Sequence, residues 1–148
     1  MEFYEDIEVG AVARFGSYAV TREEVLEFAG KYDPQPFHLS DEAAAKTHFG
    51  KIAASGWHTA AMSMSMIVAN QEGQGHHGLG SPGMEELRFL RPVYPGDTLT
   101  CTQEILEKRL SQSKPDRGIF KTRLTTFNQN GEPVMSYVAT AFVKVRGV

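Results

Sequence analysis

The chain has 148 residues, 41% hydrophobic and 22% charged, with a formal net charge of −3, which are ordinary values for one globular domain burying roughly two thirds of its unfolded surface. The acidic balance, with no basic stripe, argues against nucleic acid as the main partner. No apolar run approaches the roughly 18 residues of a membrane span, and the acidic start Met1-Glu2-Phe3-Tyr4-Glu5-Asp6 lacks a signal-peptide core, so the sequence predicts a cytoplasmic protein.

Val12 to Val20 has the length and the Val, Phe and Tyr content of a strand. Thr21 then reads as an N-cap with Glu23 and Glu24 in the first turn of a helix, and Val25, Leu26, Phe28 and Ala29 give that helix an apolar stripe. Gly30 and the Asp33-Pro34 pair end it near Tyr32. The following run, Asp33-Pro34-Gln35-Pro36-Phe37-His38, is expected to be a stiff non-helical loop, because each proline pushes the residue before it out of the α region. Ser40-Asp41-Glu42-Ala43 opens a short second helix that Gly50 terminates.

Gly56 to Asn70 is nearly free of charge all round, the pattern of a helix buried on most faces, with its methionines as adaptable core filling. Gln71 to Ser81 carries four glycines and predicts a mobile loop. Four long strands follow at Met84–Val93, Thr98–Lys108, Gly118–Asn128 and Val134–Val145. Their Pro, Gly and Asn turns suit hairpins, so an antiparallel meander is expected. Cys101, the single cysteine, excludes an internal disulfide and sits in an alternating segment as a buried structural thiol.

A rigid loop that presents a carboxylate and an imidazole together suits general acid–base chemistry, where proton-transfer groups must be in place before the substrate arrives. Asp33 and His38 are therefore the candidate catalytic pair. Gly56 opens the central helix, where unpaired amides and the helix dipole favour a developing negative charge. On local sequence alone Ser55-Gly56 reads more readily as a plain helix cap.

The segment Tyr32 to His38 resembles the hydratase motif G-D-x-N-P-x-H of the MaoC-like dehydratase family, with Asp33, Pro36 and His38 matching and Tyr32 and Gln35 departing from it. Ile52-Ala53-Ala54-Ser55-Gly56 is similar to the family's entry into its central helix. Gly83 to Leu99 is similar to its strand-turn-strand signature. The resemblance covers most of residues 3 to 145 and implies an α+β hot dog fold over residues 1–148, an antiparallel sheet wrapped around a long central helix. The order of one strand, a long helix and four strands agrees with that fold. A single sheet on one helix leaves an open flank, so a homodimer or higher homo-oligomer is expected.

The implied activity is that of an (R)-specific enoyl-CoA hydratase or 3-hydroxyacyl-CoA dehydratase acting on an acyl-CoA or acyl-carrier-protein thioester. Coenzyme A is then part of the substrate, and no separate cofactor is expected. The resemblance also implies that the Gly56 amide binds the thioester carbonyl, with Ser55 beside it. Gln35, Phe37, Trp57, His58 and Met62 are the candidate substrate contacts. His48, His76, His77 and Cys101 lack zinc-site spacing, so no metal is expected.

Arg88, Arg91, Lys114 and Arg117 are read as solvated strand charges, and Arg88 and Arg91 would face one groove only across a bulge. Two other readings compete with the hydro-lyase. A thioesterase of the same fold would use an acidic residue on the central helix, which has none between Gly56 and Asn70. A non-catalytic acyl-thioester-binding protein would have no need of the Asp33–His38 pair.

Overall fold

The computed structural model describes residues 2–148. Its elements run β1 (Val12–Ala19), α1 (Arg22–Tyr32), α2 (Pro36–Leu39), α3 (Asp41–Ala45), α4 (Gly56–Asn70), β2 (Gly83–Phe89), β3 (Thr98–Leu110), β4 (Arg117–Phe127) and β5 (Pro133–Lys144). The strands form one sheet in the order β1-β3-β4-β5-β2, every neighbouring pair antiparallel. Thr21 caps α1 as expected, its hydroxyl accepting from the Glu24 amide at 3.2 Å.

Strand alternation places the core. On β4 the even-numbered residues from Gly118 to Thr126 are buried while their neighbours are more open. Val20, Val25, Ile52, Leu99, Leu124, Met135 and Tyr137 join Met62 and Met66 of α4 in one apolar cluster. A buried polar link runs through it: the Ser63 hydroxyl donates to the Thr59 carbonyl at 2.8 Å and therefore accepts from Thr126 at 2.7 Å. Cys101 lies 3.5 Å from the same Thr126 hydroxyl, and burial pushes its thiol up, as befits a structural thiol rather than a nucleophile.

Three expectations need correction. First, α4 is not buried on most faces. His58, Thr59, Met62, Ser63 and Met66 are buried against the sheet or α1, whereas Trp57, Met64 and Val68 are exposed. One sheet covers only one side of a helix, so these outer apolar residues are left largely open to solvent, with Trp57 touching only the edge of Phe89 among the ring contacts of the described residues.

Second, the last four strands are not a simple meander. β2 pairs with β5 and lies three strands away from β3. It also ends at Phe89, because the amides of Leu90 and Arg91 both turn to the Val134 carbonyl and Pro92 has no amide to extend a ladder. Third, the second half of the glycine-rich segment is held on the sheet. Leu79 donates to the Phe142 carbonyl, Phe142 to Gly80 and Lys144 to His77, each at 2.8 Å.

α4 is seated through Gly16, which lies where the β1–β3 register shifts and has φ +87°. A Cβ there would stand 2.4 Å from the Met66 sulfur, so only glycine lets the helix approach. A five-stranded antiparallel sheet with one long helix packed on it is the hot dog fold. Gly16→Ala combines an unfavourable φ with overpacking against Met66. It is expected to destabilise the protein by about 2–4 kcal/mol, measured by denaturant unfolding.

Candidate active site

The stretch between α1 and α4 builds the site. Asp33 ends α1 with φ −151° and ψ 66°, and Gln35 follows at φ −73° and ψ 140°, so both pre-proline residues are held out of the α region. The loop is nevertheless not wholly non-helical. Pro36 occupies the first position of the one-turn helix α2, where its missing amide costs nothing and its fixed φ suits the turn. That turn carries His38 inward beneath Asp33, and His38 is 4% exposed.

His38 Nε2 lies 3.4 Å from Asp33 Oδ2. On the other side of the ring, Nδ1 is 2.7 Å from the Ala53 carbonyl, which can only accept, so Nδ1 carries a proton. In the neutral ring Nε2 is then an acceptor facing a carboxylate. Two acceptors at this spacing suit a molecule with two O–H bonds, each donated to one of them. Phe37 meets the His38 ring edge-on at 4.6 Å and stacks on Phe49, which limits the ring's freedom to turn.

Asp33 is held by further donors. The Ser55 hydroxyl donates to Oδ2 at 2.7 Å and the Gln35 amide to Oδ1 at 2.6 Å. Burial opposes the charge, yet the hydrogen bonds from Ser55 and Gln35, with His38 beside them, outweigh it and hold the carboxyl below the ordinary carboxylate range. Ser55 stands at the N-cap of α4, but its side chain makes no cap hydrogen bond; the hydroxyl is committed to Asp33.

Gly56 is the first residue of α4, and no acceptor among the described residues meets its amide. A Cβ at Gly56 would lie 2.5 Å from the Phe89 ring, so the position admits no side chain without displacing that ring. Asp33, His38 and Gly56 open on a cavity of about 470 Å³, walled by Phe49, Trp57, Phe89, Leu90, Val93 and Val134 among others. Arg91 and His48 also reach it. Arg91 is paired with Glu132 at 3.2 Å, and Arg88 lies opposite Ser136 on the other face of β2.

The five candidate substrate contacts are distributed unevenly. Trp57 lines the cavity, while Gln35 and Phe37 act on Asp33 and His38 from behind. His58 and Met62 line a separate pocket with Tyr18, Glu24 and Phe28. There the His58 ring stacks on Phe28, and burial lowers its pKa despite the nearby Glu24. Nothing in the sequence marked Ala53 as the partner of His38, because the contact is through its carbonyl. Phe89, Leu90 and Val134 were equally hidden, since they reach the cavity only through strand pairing.

Among the described residues, no three His, Cys, Asp or Glu side chains gather to hold a metal ion, and no helix is long and apolar enough to cross a membrane. The comparisons with known proteins point one way. The solved MaoC-like dehydratase from Rhodospirillum rubrum superposes with a TM-score of 0.89 at 40% identity, covering 99% of each chain. The (R)-hydratase from A. caviae involved in PHA biosynthesis gives a TM-score of 0.72 at 28% identity, covering 95% of this chain and 98% of its own. The uncharacterized protein YdeM of Bacillus subtilis (strain 168) is 31% identical over 141 residues, 95% of this chain and 97% of that relative.

Fold and site thus define a hot dog protein of the hydratase and dehydratase type. Residues 7–126 match the family described as MaoC like domain, and the chain belongs to the MaoC-like dehydratase family.

Because the Asp33 carboxyl is depressed in the fold, its contribution to stability is present above the ordinary carboxylate range and lost as pH falls through the folded value. Ser55→Ala removes one of its donors. It is expected to destabilise the protein by about 1–3 kcal/mol at neutral pH, and that difference should shrink as Asp33 protonates. Unfolding curves of both proteins from pH 7 to pH 3 measure this.

Proposed function

We propose that the protein is an (R)-specific enoyl-CoA hydratase or 3-hydroxyacyl-CoA dehydratase, adding or removing water at the 2,3 position of an acyl thioester. The observation that carries this reading is the Asp33–His38 pair, 3.4 Å apart, opening on the same cavity as Gly56 at the start of α4. In hydration, Asp33 Oδ2 and His38 Nε2 grip one water. Its oxygen attacks C3 as one of its protons passes to the pair, the π electrons move toward the thioester oxygen, and that proton is then delivered from the pair to C2 as the enolate collapses. The Gly56 amide and the N-terminal dipole of α4 stabilise the transient enolate oxygen.

Dehydration follows the same path in reverse. The depressed Asp33 carboxyl supports a role for it as the acceptor at neutral pH. No separate cofactor has a step to perform here, and a thioester carried by coenzyme A or by a carrier protein undergoes the same chemistry at C2 and C3. A helix α4 without Asp or Glu leaves a thioesterase of this fold without its usual acid or base.

The outer face of α4 and the free edges of β1 and β2 support assembly into a homodimer or higher homo-oligomer. Light scattering on the eluted protein should give at least twice the chain mass, and a monomer at micromolar concentration would refute this. Wild type is expected to remove the conjugated enoyl absorbance of crotonyl-CoA or a longer enoyl-CoA. Asp33→Asn and His38→Ala, still folded, should each lose at least about a hundredfold in kcat/KM. Full activity in either variant would sink the mechanism.

A further inference from the structure

Met84 and Phe89 on β2 are five residues apart, so a regular strand would turn them to opposite faces. The register shows otherwise. Met84 lies opposite Ala139 and Phe89 opposite Met135, two β5 residues that share the face toward α4. The phase changes between Glu85 and Arg88, where Glu86 and Leu87 together oppose Tyr137 and Glu86 takes a φ of 54°. Left-handed backbone is uncommon for a residue other than glycine, and a bulge of this kind re-aims the side chains beyond it.

The result is a phenylalanine ring laid directly on Gly56. The ring fills the space a Cβ would take there, at 2.5 Å from its Cε2, and meets the Trp57 indole edge-on at 6.1 Å and 79°. Both rings border the cavity that holds Asp33 and His38, yet Trp57 is 61% and Phe89 49% exposed. An aromatic pair left uncovered beside two proton-transfer groups and a free amide offers contact surface to an apolar group. Leu90 and Val134 extend that surface.

Resting on the hydro-lyase reading above, we infer that Phe89, turned inward by the β2 bulge, is the specificity-determining residue for acyl length. Its ring against Gly56 closes the space next to the thioester carbonyl, so the cavity takes short acyl chains and rejects long ones. Replacing the ring by a smaller side chain opens that space while leaving Asp33, His38 and the Gly56 amide in place. The effect must then fall on the ratio between long and short chains, because removing a wall admits methylenes that were previously excluded.

The test has a readout independent of turnover, since Trp57 is the chain's single tryptophan and lies in the cavity wall. Butyryl-CoA and octanoyl-CoA, which cannot react, are titrated against Trp57 fluorescence in wild type, Phe89→Ala and Phe89→Leu. The octanoyl-to-butyryl affinity ratio is expected to rise by about tenfold or more in Phe89→Ala and by less in Phe89→Leu. In parallel, kcat/KM for 2-octenoyl-CoA relative to crotonyl-CoA should move the same way.

An unchanged ratio in both variants, or equal weakening of both ligands, would overturn the inference by assigning the ring to the pantetheine arm or to packing alone. A shifted affinity ratio in a protein that hydrates no enoyl-CoA would uphold the role of Phe89 and defeat the hydratase reading instead. Turnover with an unmoved ratio would do the reverse.

Discussion

Five consecutive residues carry the site, and the rest of the structure is arranged around their passage. From Ile52 to Ser55 the chain runs buried and outside helix or strand, with Ile52, Ala53, Ala54 and Ser55 almost wholly out of solvent, and Gly56 then opens α4. A buried segment outside helix and ladder must find partners for its polar groups elsewhere, and four bonds tie this one to neighbouring elements. Ile52 donates to Asp41, the Ala53 carbonyl accepts from His38, Ala54 donates to Val93, and the Ser55 hydroxyl goes to Asp33.

That strip also sets how Asp33 and His38 stand to one another. Asp33 and His38 sit on separate turns, and neither α1 nor α2 alone fixes their separation. Ser55 and Ala53 do, by holding each from one side at 2.7 Å. Pre-organisation of this kind lowers the reorganisation needed when a substrate arrives. The same strip ends at the Gly56 amide, so Asp33, His38 and Gly56 share one support.

The opposite wall is set by the sheet. β2 is an edge strand added to β5, and its bulge decides which of its side chains look toward α4. The exposed apolar face of α4, from Trp57 through Met64 to Val68, lies outside the area the sheet can cover. Packing within the chain is therefore complete on one face of the helix only. The outer edges of β1 and β2 and that apolar face leave backbone groups and apolar side chains open on the same molecule.

By itself the sequence determined the elements and the chemistry they carry. Thr21 and the Asp33-Pro34 pair bounded α1, the uncharged run from Gly56 to Asn70 marked α4 at both ends, and alternation marked the later strands, because capping, proline sterics and periodicity are local effects. It also put Asp33, His38 and Gly56 forward, through a motif whose residue types suit proton transfer. Tertiary structure alone decided the rest. The partner of β2, the one-sided burial of α4, the use of the Ser55 hydroxyl on Asp33 and the inward turn of Phe89 all depend on which distant segments meet. Such meetings are settled by strand register and by which backbone groups must be paired, and a linear pattern of side chains does not encode them.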